Sequence, residues 1–312
     1  MIIKKISNDF FETQSGILVD NAYDPYTLSK LINVYEENSI EYLEYQDYDL
    51  SSLKHFKNIL FLSIPQESVN LENLSDLSEL KGLRVFSNNL NNIDSKILKK
   101  LEYLDLIFDK NIEVDFNIFE SLKFLRIMNL PRKSINISGS LEKIELSGCK
   151  KIESLDFLEK VIGLKKVKLS WLPKLTDISC LKSVSASLMH LFVSDCKRVR
   201  DLSQVLAELI NLTDLTIITE NNDSNCKIPS LYFIDNMKFL ECFATNYRIE
   251  DGDLIRLCKI RDANITAFYS NYNRNDRDLP HEFVLLNDVT IKKVKLAELD
   301  FGKDDSRIIW LN

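Results

Sequence analysis

Residues 141 to 158 read LEKIELSGCKKIESLDFL, and their order of apolar and polar side chains decides the fold. Leu141, Ile144 and Leu146 form an apolar-x-x-apolar-x-apolar run. The alternation inside it has the two-residue period of a strand. After Ser147 and Gly148 comes Cys149, and then Ile152, Leu155 and Leu158 at intervals of three. That interval suits a short helical or 3₁₀ turn. A strand, a turn and a tight return in so few residues describe one coil of a repeat.

The same six-residue pattern opens at Ile40, Ile59, Leu80, Leu101, Leu122, Leu141, Leu164, Leu188, Leu212 and Met237, with offsets of 19, 21, 21, 21, 19, 23, 24, 24 and 25 residues. The series resembles the leucine-rich repeat family, whose units open with LxxLxLxxN, and the resemblance covers residues 40 to 271. Ile260 opens a weak eleventh copy, and the run from Ile291 (IKKVKLAEL) nearly duplicates the one at Leu164 (LKKVKLSWL). The resemblance implies an α/β leucine-rich repeat solenoid, with a parallel sheet on its concave face and short helices or 3₁₀ turns on its convex face. A lone coil has no partner for its apolar face, so stacking must supply both core layers and strand partners.

In that family the fourth and sixth positions enter the core. The ninth bonds the backbone of the turn that leaves the strand, where an unpaired buried group is costly. The ninth position is Asn88 in one copy and Cys149 and Cys196 in two others; elsewhere it is Glu67, Asp109, Leu130, Leu172, Glu220 and Thr245. A thiol tolerates burial and donates weakly, so the resemblance gives Cys149 and Cys196 structural places in cysteine-containing repeats. The segment 201 to 212, DLSQVLAELINL, is the best candidate for a full helix among the returns.

Composition narrows the function. The chain of 312 residues is 45% apolar and 28% charged, with only 7 Gly and 6 Pro, which suits a chain folded nearly throughout. A net charge of −7 disfavours a phosphate backbone as ligand, so nucleic acid is not an expected partner. Apolar runs such as ILFL (59 to 62) are too short for a signal peptide or a membrane span. Six cysteines without a CxxC pair and three scattered histidines provide no metal-ligand spacing. The expectation is a cytoplasmic protein with reduced thiols, no cofactor and no membrane segment.

Three regions are expected: an N-terminal cap over 1 to 39, the repeats over 40 to 271, and a C-terminal cap over 272 to 312 that includes a further repeat strand if the copy at Ile291 counts. IIKKI and GILVD read as strands, and DPYTLSKLINVYEEN as a helix capped by Asp24 with Pro25 in its first turn. EFVLL, VTIKKVKL and RIIWL read as strands of the C-terminal cap, with Trp310 packed into it.

If positions four and six face inward, positions three, five and seven face outward. Position three then runs Phe61, Gly82, Tyr103, Phe124, Lys143, Lys166, His190, Asp214, Phe239; position five runs Ser63, Arg84, Asp105, Arg126, Glu145, Lys168, Phe192, Thr216, Glu241; position seven runs Pro65, Phe86, Ile107, Met128, Ser147, Ser170, Ser194, Ile218, Phe243. Phe61, Phe86, Tyr103, Ile107, Phe124 and Met128, interleaved with Arg84, Asp105 and Arg126, have the composition of a protein-binding surface. Aromatic residues also favour strands on their own account. Lys143, Lys166, Lys168, Ser147, Ser170 and Ser194, with Trp171 at the rim, suit either an acidic segment of a partner or an ordinary solvated strand face, and Phe192 beside them counts among the candidate binding residues. No phosphate loop, GxSxG or HExxH occurs, and His190 beside Asp214 lacks an assured nucleophile in Ser194 or Cys196, so an enzyme is not expected. The expected function is protein binding through the concave face. The alternative is an immunity or inhibitor protein that neutralises a toxin or enzyme, suggested by acidic charge, small size and no attached effector domain; a hydrolase is a second, weaker alternative.

Overall fold

The computed structural model describes residues 4–8, 13–19, 25–38, 40–111, 113–200, 202–219, 226–245, 247–251, 256, 265–270, 282–287, 290–298 and 306–311. It divides into two units, Met1–Leu141 and Glu142–Asn312. Both are α/β and built from parallel coils in chain order, as in a leucine-rich-repeat-like solenoid.

In the first unit the strands Tyr42–Tyr45, Phe61–Ser63, Gly82–Phe86, Tyr103–Ile107 and Phe124–Met128 follow one another in a parallel sheet. The register sets Tyr42 opposite Phe61, Phe61 opposite Gly82, Gly82 opposite Tyr103 and Tyr103 opposite Phe124. Leu43, Leu62, Leu83, Leu104 and Leu125 thus form one inward column, and all are fully buried. Tight returns connect the strands: 3₁₀ turns at Leu50–His55, Leu71–Asp76 and Phe116–Ile118, and short helices at Ser87–Leu90 and Ser95–Lys100. Three of these begin at an aspartate whose carboxylate accepts from a backbone N–H two residues on: Asp49 from Ser51, Asp94 from Lys96 and Asp115 from Asn117. Such caps satisfy donors that so short a turn leaves open. At the start of the chain, Thr13–Val19 pairs in parallel with Tyr42–Tyr45 and antiparallel with Lys4–Asn8, and a helix spans Pro25–Glu37.

In the second unit Lys143–Ser147, Lys166–Ser170, His190–Ser194, Asp214–Ile218 and Cys242–Thr245 are parallel neighbours. Ile144, Val167, Leu191 and Leu215 share the inward column. The return expected as a full helix at 201 to 212 is α-helical only over Leu202–Leu206. Leu209 and Leu212 are both buried, and the Leu212 N–H donates to the Leu209 carbonyl at 3.3 Å, so the chain bends there to bring both into the core.

The last repeat corrects the sequence reading. Asp214 pairs with Cys242 and Leu215 with Phe243, so the copy opens at Leu240 rather than Met237. The hydrogen bonds agree: the Glu241 N–H donates to the Thr213 carbonyl as Thr213 does to Met189 and Met189 to Lys165. Met237 instead closes the return. The Leu240 N–H donates to its carbonyl, as those of Ile59, Leu80, Leu101 and Leu122 do to Phe56, Leu77, Leu98 and Phe119. Phe243, expected to face outward, is therefore fully buried, and Phe239 is 60% exposed outside the strand. The stretch MKFLECFAT offers two apolar series three residues apart, and burying Phe243 selects the second.

Ile265–Ser270, Glu282–Asn287, Thr290–Glu298 and Ser306–Leu311 form a separate four-stranded antiparallel sheet. The run from Ile291 lies in Thr290–Glu298 and pairs antiparallel on both sides, unlike the strand of a repeat. Asp24, Glu220, Cys258, the copy at Ile260 and the side chains of Asn88 and Trp310 lie outside the described residues. Among the described residues no helix is long and apolar enough to cross a membrane.

Candidate functional site

Each turn that leaves a strand must reverse the chain, and position eight does so in left-handed backbone at Asn129 (φ 59°), Gly148 (φ 65°), Trp171 (φ 56°) and Asp195 (φ 54°). Glycine, asparagine and aspartate tolerate that conformation, whereas a bulky side chain there costs about 1 kcal/mol or more. Position nine then points inward. Cys149 and Cys196 are buried, and each thiol donates to the carbonyl two residues before it, Ser147 or Ser194, at 3.4 Å. Burial pushes the Cys196 thiol up to about 12. Leu130 and Leu172 fill the same place by bulk alone, so a polar ninth residue is not required. Beside Asn88, whose side chain lies outside the described residues, Asn89 donates Nδ2 to the Pro65 carbonyl of the preceding coil at 2.9 Å.

On the outward face of the first unit, position three carries an aromatic ladder. Tyr42 and Phe61 pack together with Tyr103 and Phe124 against them. Phe61 meets Tyr103 edge-on, with centroids 5.3 Å apart, and Tyr103 stacks on Phe124 at 4.2 Å. Gly82 makes room for this: a Cβ there would stand 2.5 Å from Cδ1 of Phe61. Phe61 is consequently only 8% exposed and supports the ladder, while Tyr103 and Phe124 present it. Position seven forms a second apolar rail of Pro65, Phe86, Ile107 and Met128, all half-buried.

Between the rails position five holds an ion triad. Asp105 is fully buried, and its Oδ2 receives Arg84 Nε at 2.6 Å and Arg126 Nη1 at 3.2 Å. Among the described residues Asp105 Oδ1 has no hydrogen-bond partner. Burial acts to lower the pKa of Arg84, but the charge and hydrogen bond of Asp105 outweigh it and hold the guanidinium above its ordinary value. Asp105 itself therefore offers no surface; the side chains of Arg84 and Arg126 that pair with it, 26% and 20% exposed, do.

The second unit carries different chemistry on the same frame. Lys143 pairs with Glu145 at 3.1 Å, and His190 Nδ1 meets Asp214 Oδ2 at 2.7 Å. Lys166 and Lys168 are exposed, and Lys168 Nζ lies 5.3 Å from the centroid of the Phe192 ring. Trp171 is 45% exposed. Ser194 Oγ donates to Asp195 Oδ2 at 2.8 Å, and Cys196 is bound as above, so neither is poised toward His190. Four residues of strand, about 13 Å, also separate Ser194 from His190.

The sequence reading did not anticipate a groove of about 670 Å³ in this unit, lined by Lys165, Ser187, Met189, Asn211, Phe239 and Glu241 among others. Its residues precede or open the strands. The signal was present at Met189, Thr213 and Glu241, which share position two once the last copy is placed at Leu240. No protein-family model and no curated protein matches the chain.

Proposed function

We propose that the chain belongs to the leucine-rich repeat family, in an irregular form with cysteine-containing units, and acts as a cytoplasmic protein-binding module rather than an enzyme. The observation that carries this reading is the outward face of the first unit, where two half-buried apolar rails flank a buried carboxylate paired with two arginines. Aromatic, methionine and arginine side chains around a desolvated polar centre are the composition of interface hot spots, and contiguous half-exposed apolar side chains are costly to leave in water. The five described cysteines are free thiols, as suits a reducing compartment.

The binding residues in this reading are Arg84, Phe86, Tyr103, Ile107, Phe124, Arg126 and Met128, with Phe61 and Asp105 holding them in place. Tyr103→Glu with Phe124→Glu puts two charges on the exposed end of the ladder and leaves the inward column untouched. Affinity capture from the native host, quantified by mass spectrometry, should recover a partner with the wild-type chain. The double variant should lose about 30-fold to 1,000-fold in affinity for it, since two interface anchors together contribute about 2 to 4 kcal/mol. The circular dichroism spectrum should stay unchanged. Equal recovery by a folded double variant would defeat the assignment.

A further inference from the structure

From the second unit, and resting on the reading of the chain as a protein-binding module, we infer that the outward side of Lys166–Ser170 and its neighbour His190–Ser194 receives an extended acidic segment of a partner protein, anchored at Trp171. Two independent observations carry this. The first is charge. Along these strands the neighbouring ionic groups are matched: Lys143 with Glu145, Lys165 with Glu142, His190 with Asp214. Lys166 and Lys168 have no carboxylate within ion-pairing distance among the described residues, and Lys168 is steered only by the face of Phe192. The two ammonium groups stand two residues apart on one side of a strand, a spacing of about 6.6 Å. An extended partner presents every second side chain at that same interval, so carboxylates at alternate positions meet both lysines in register.

The second observation is Trp171. The turn after Phe61–Ser63 is left-handed at position nine, Glu67; four other turns are left-handed at position eight, and at three of these the residue is asparagine, glycine or aspartate. At the fourth it is tryptophan, with 45% of its surface exposed. The left-handed backbone disfavours so bulky a side chain there. Strained residues of this kind persist where they serve recognition, and a half-exposed tryptophan beside a cationic strip is a natural anchor for an apolar side chain adjoining the acidic run.

The test uses the full chain and a fluorescein-labelled peptide of alternating glutamate and serine with a leucine at each end, followed by fluorescence anisotropy. A control peptide has glutamine for every glutamate. The expected result is saturable binding of the glutamate peptide, at least tenfold weaker binding of the control, and a comparable loss in Lys166→Glu with Lys168→Glu. Trp171→Asn, which installs the residue type found at 129, should weaken binding at least fivefold while melting at the same or a higher temperature. The inference falls if both peptides bind alike or not at all, if the charge-reversed variant binds unchanged, or if Trp171→Asn lowers the melting temperature without affecting binding. Tighter binding of an oligouridylate or of phosphatidylserine vesicles would assign the strip to phosphate and overturn it equally. Each failure leaves the capture assay on Tyr103 and Phe124 unaffected, so the two readings are separable.

Discussion

The two units place the same positions inward and use the outward ones for opposite chemistry. In the first, position three reads Tyr42, Phe61, Gly82, Tyr103, Phe124 and becomes a ladder of packed rings. In the second it reads Lys143, Lys166, His190, Asp214 and becomes a row of charges. The inward residues differ less: leucine, isoleucine and valine fill positions four and six except at Tyr45 in the first coil and at Phe243 and Thr245 in the last. Parallel register thus decides where a side chain points, and the outward chemistry varies from copy to copy. The aromatic face excludes water from a buried carboxylate, whereas the charged face leaves two lysines open to solvent.

The largest effects should be those that ignore this difference. Leu104→Ala and Leu169→Ala each empty a fully buried inward position, so each should cost about 2 to 5 kcal/mol in urea unfolding. A loss in only one unit would break the claim that the inward columns are equivalent. Next come changes that separate the faces. Asp105→Asn leaves Arg84 and Arg126 facing each other without their shared counter-charge and should cost about 2 to 3 kcal/mol, discounted for their partial exposure. Glu145→Gln breaks one 3.1 Å contact, with Lys143, in a pair whose side chains are 10% and 13% exposed, against two contacts at Asp105, and should cost less, about 1 kcal/mol. Similar losses would show that the buried triad is no more structural than its counterpart.

Gly82→Ala probes the ladder itself. The new methyl would meet the Phe61 ring, and overpacking there should cost about 1 to 2 kcal/mol. Phe61→Leu in the same chain should recover part of it. The smallest effect is a pH dependence that belongs to the second unit. Burial pushes the Cys196 thiol, and that of Cys180 likewise, up to about 12 from the ordinary thiol range. Above pH 9 the unfolded chain therefore loses thiol protons that the folded chain retains, so stability is full below pH 9 and falls as pH rises toward 12. Cys196→Ala should show a shallower fall in melting temperature between pH 9 and 10 than the wild type, by about 1 kcal/mol of stability per pH unit at most.

Much of this organisation is legible in the primary structure because a repeat turns a sequence offset into a spatial neighbour. Arg84, Asp105 and Arg126 stand 21 residues apart, the offset of their repeats, so their meeting follows from spacing alone. Burial of Asp105 does not follow, since it depends on how two long side chains fold over a short one. Likewise the glycine in the aromatic column stood in plain view, but its purpose, to admit the tilted Phe61 ring, is a matter of packing. The last copy was misplaced where two apolar series overlap and only strand pairing separates them. Trp171 became informative once Asn129, Gly148 and Asp195 were seen to share its backbone conformation.

The alternation of the outward and inward columns is tested most directly by cysteine scanning of Phe124–Met128 and Lys166–Ser170, one substitution at a time, with maleimide labelling of the native chain. The account predicts fast labelling at 124, 126, 128, 166, 168 and 170 and protection at 125, 127, 167 and 169. Labelling that recurs every three or four residues, or that is fast at 125 and 167, would contradict it.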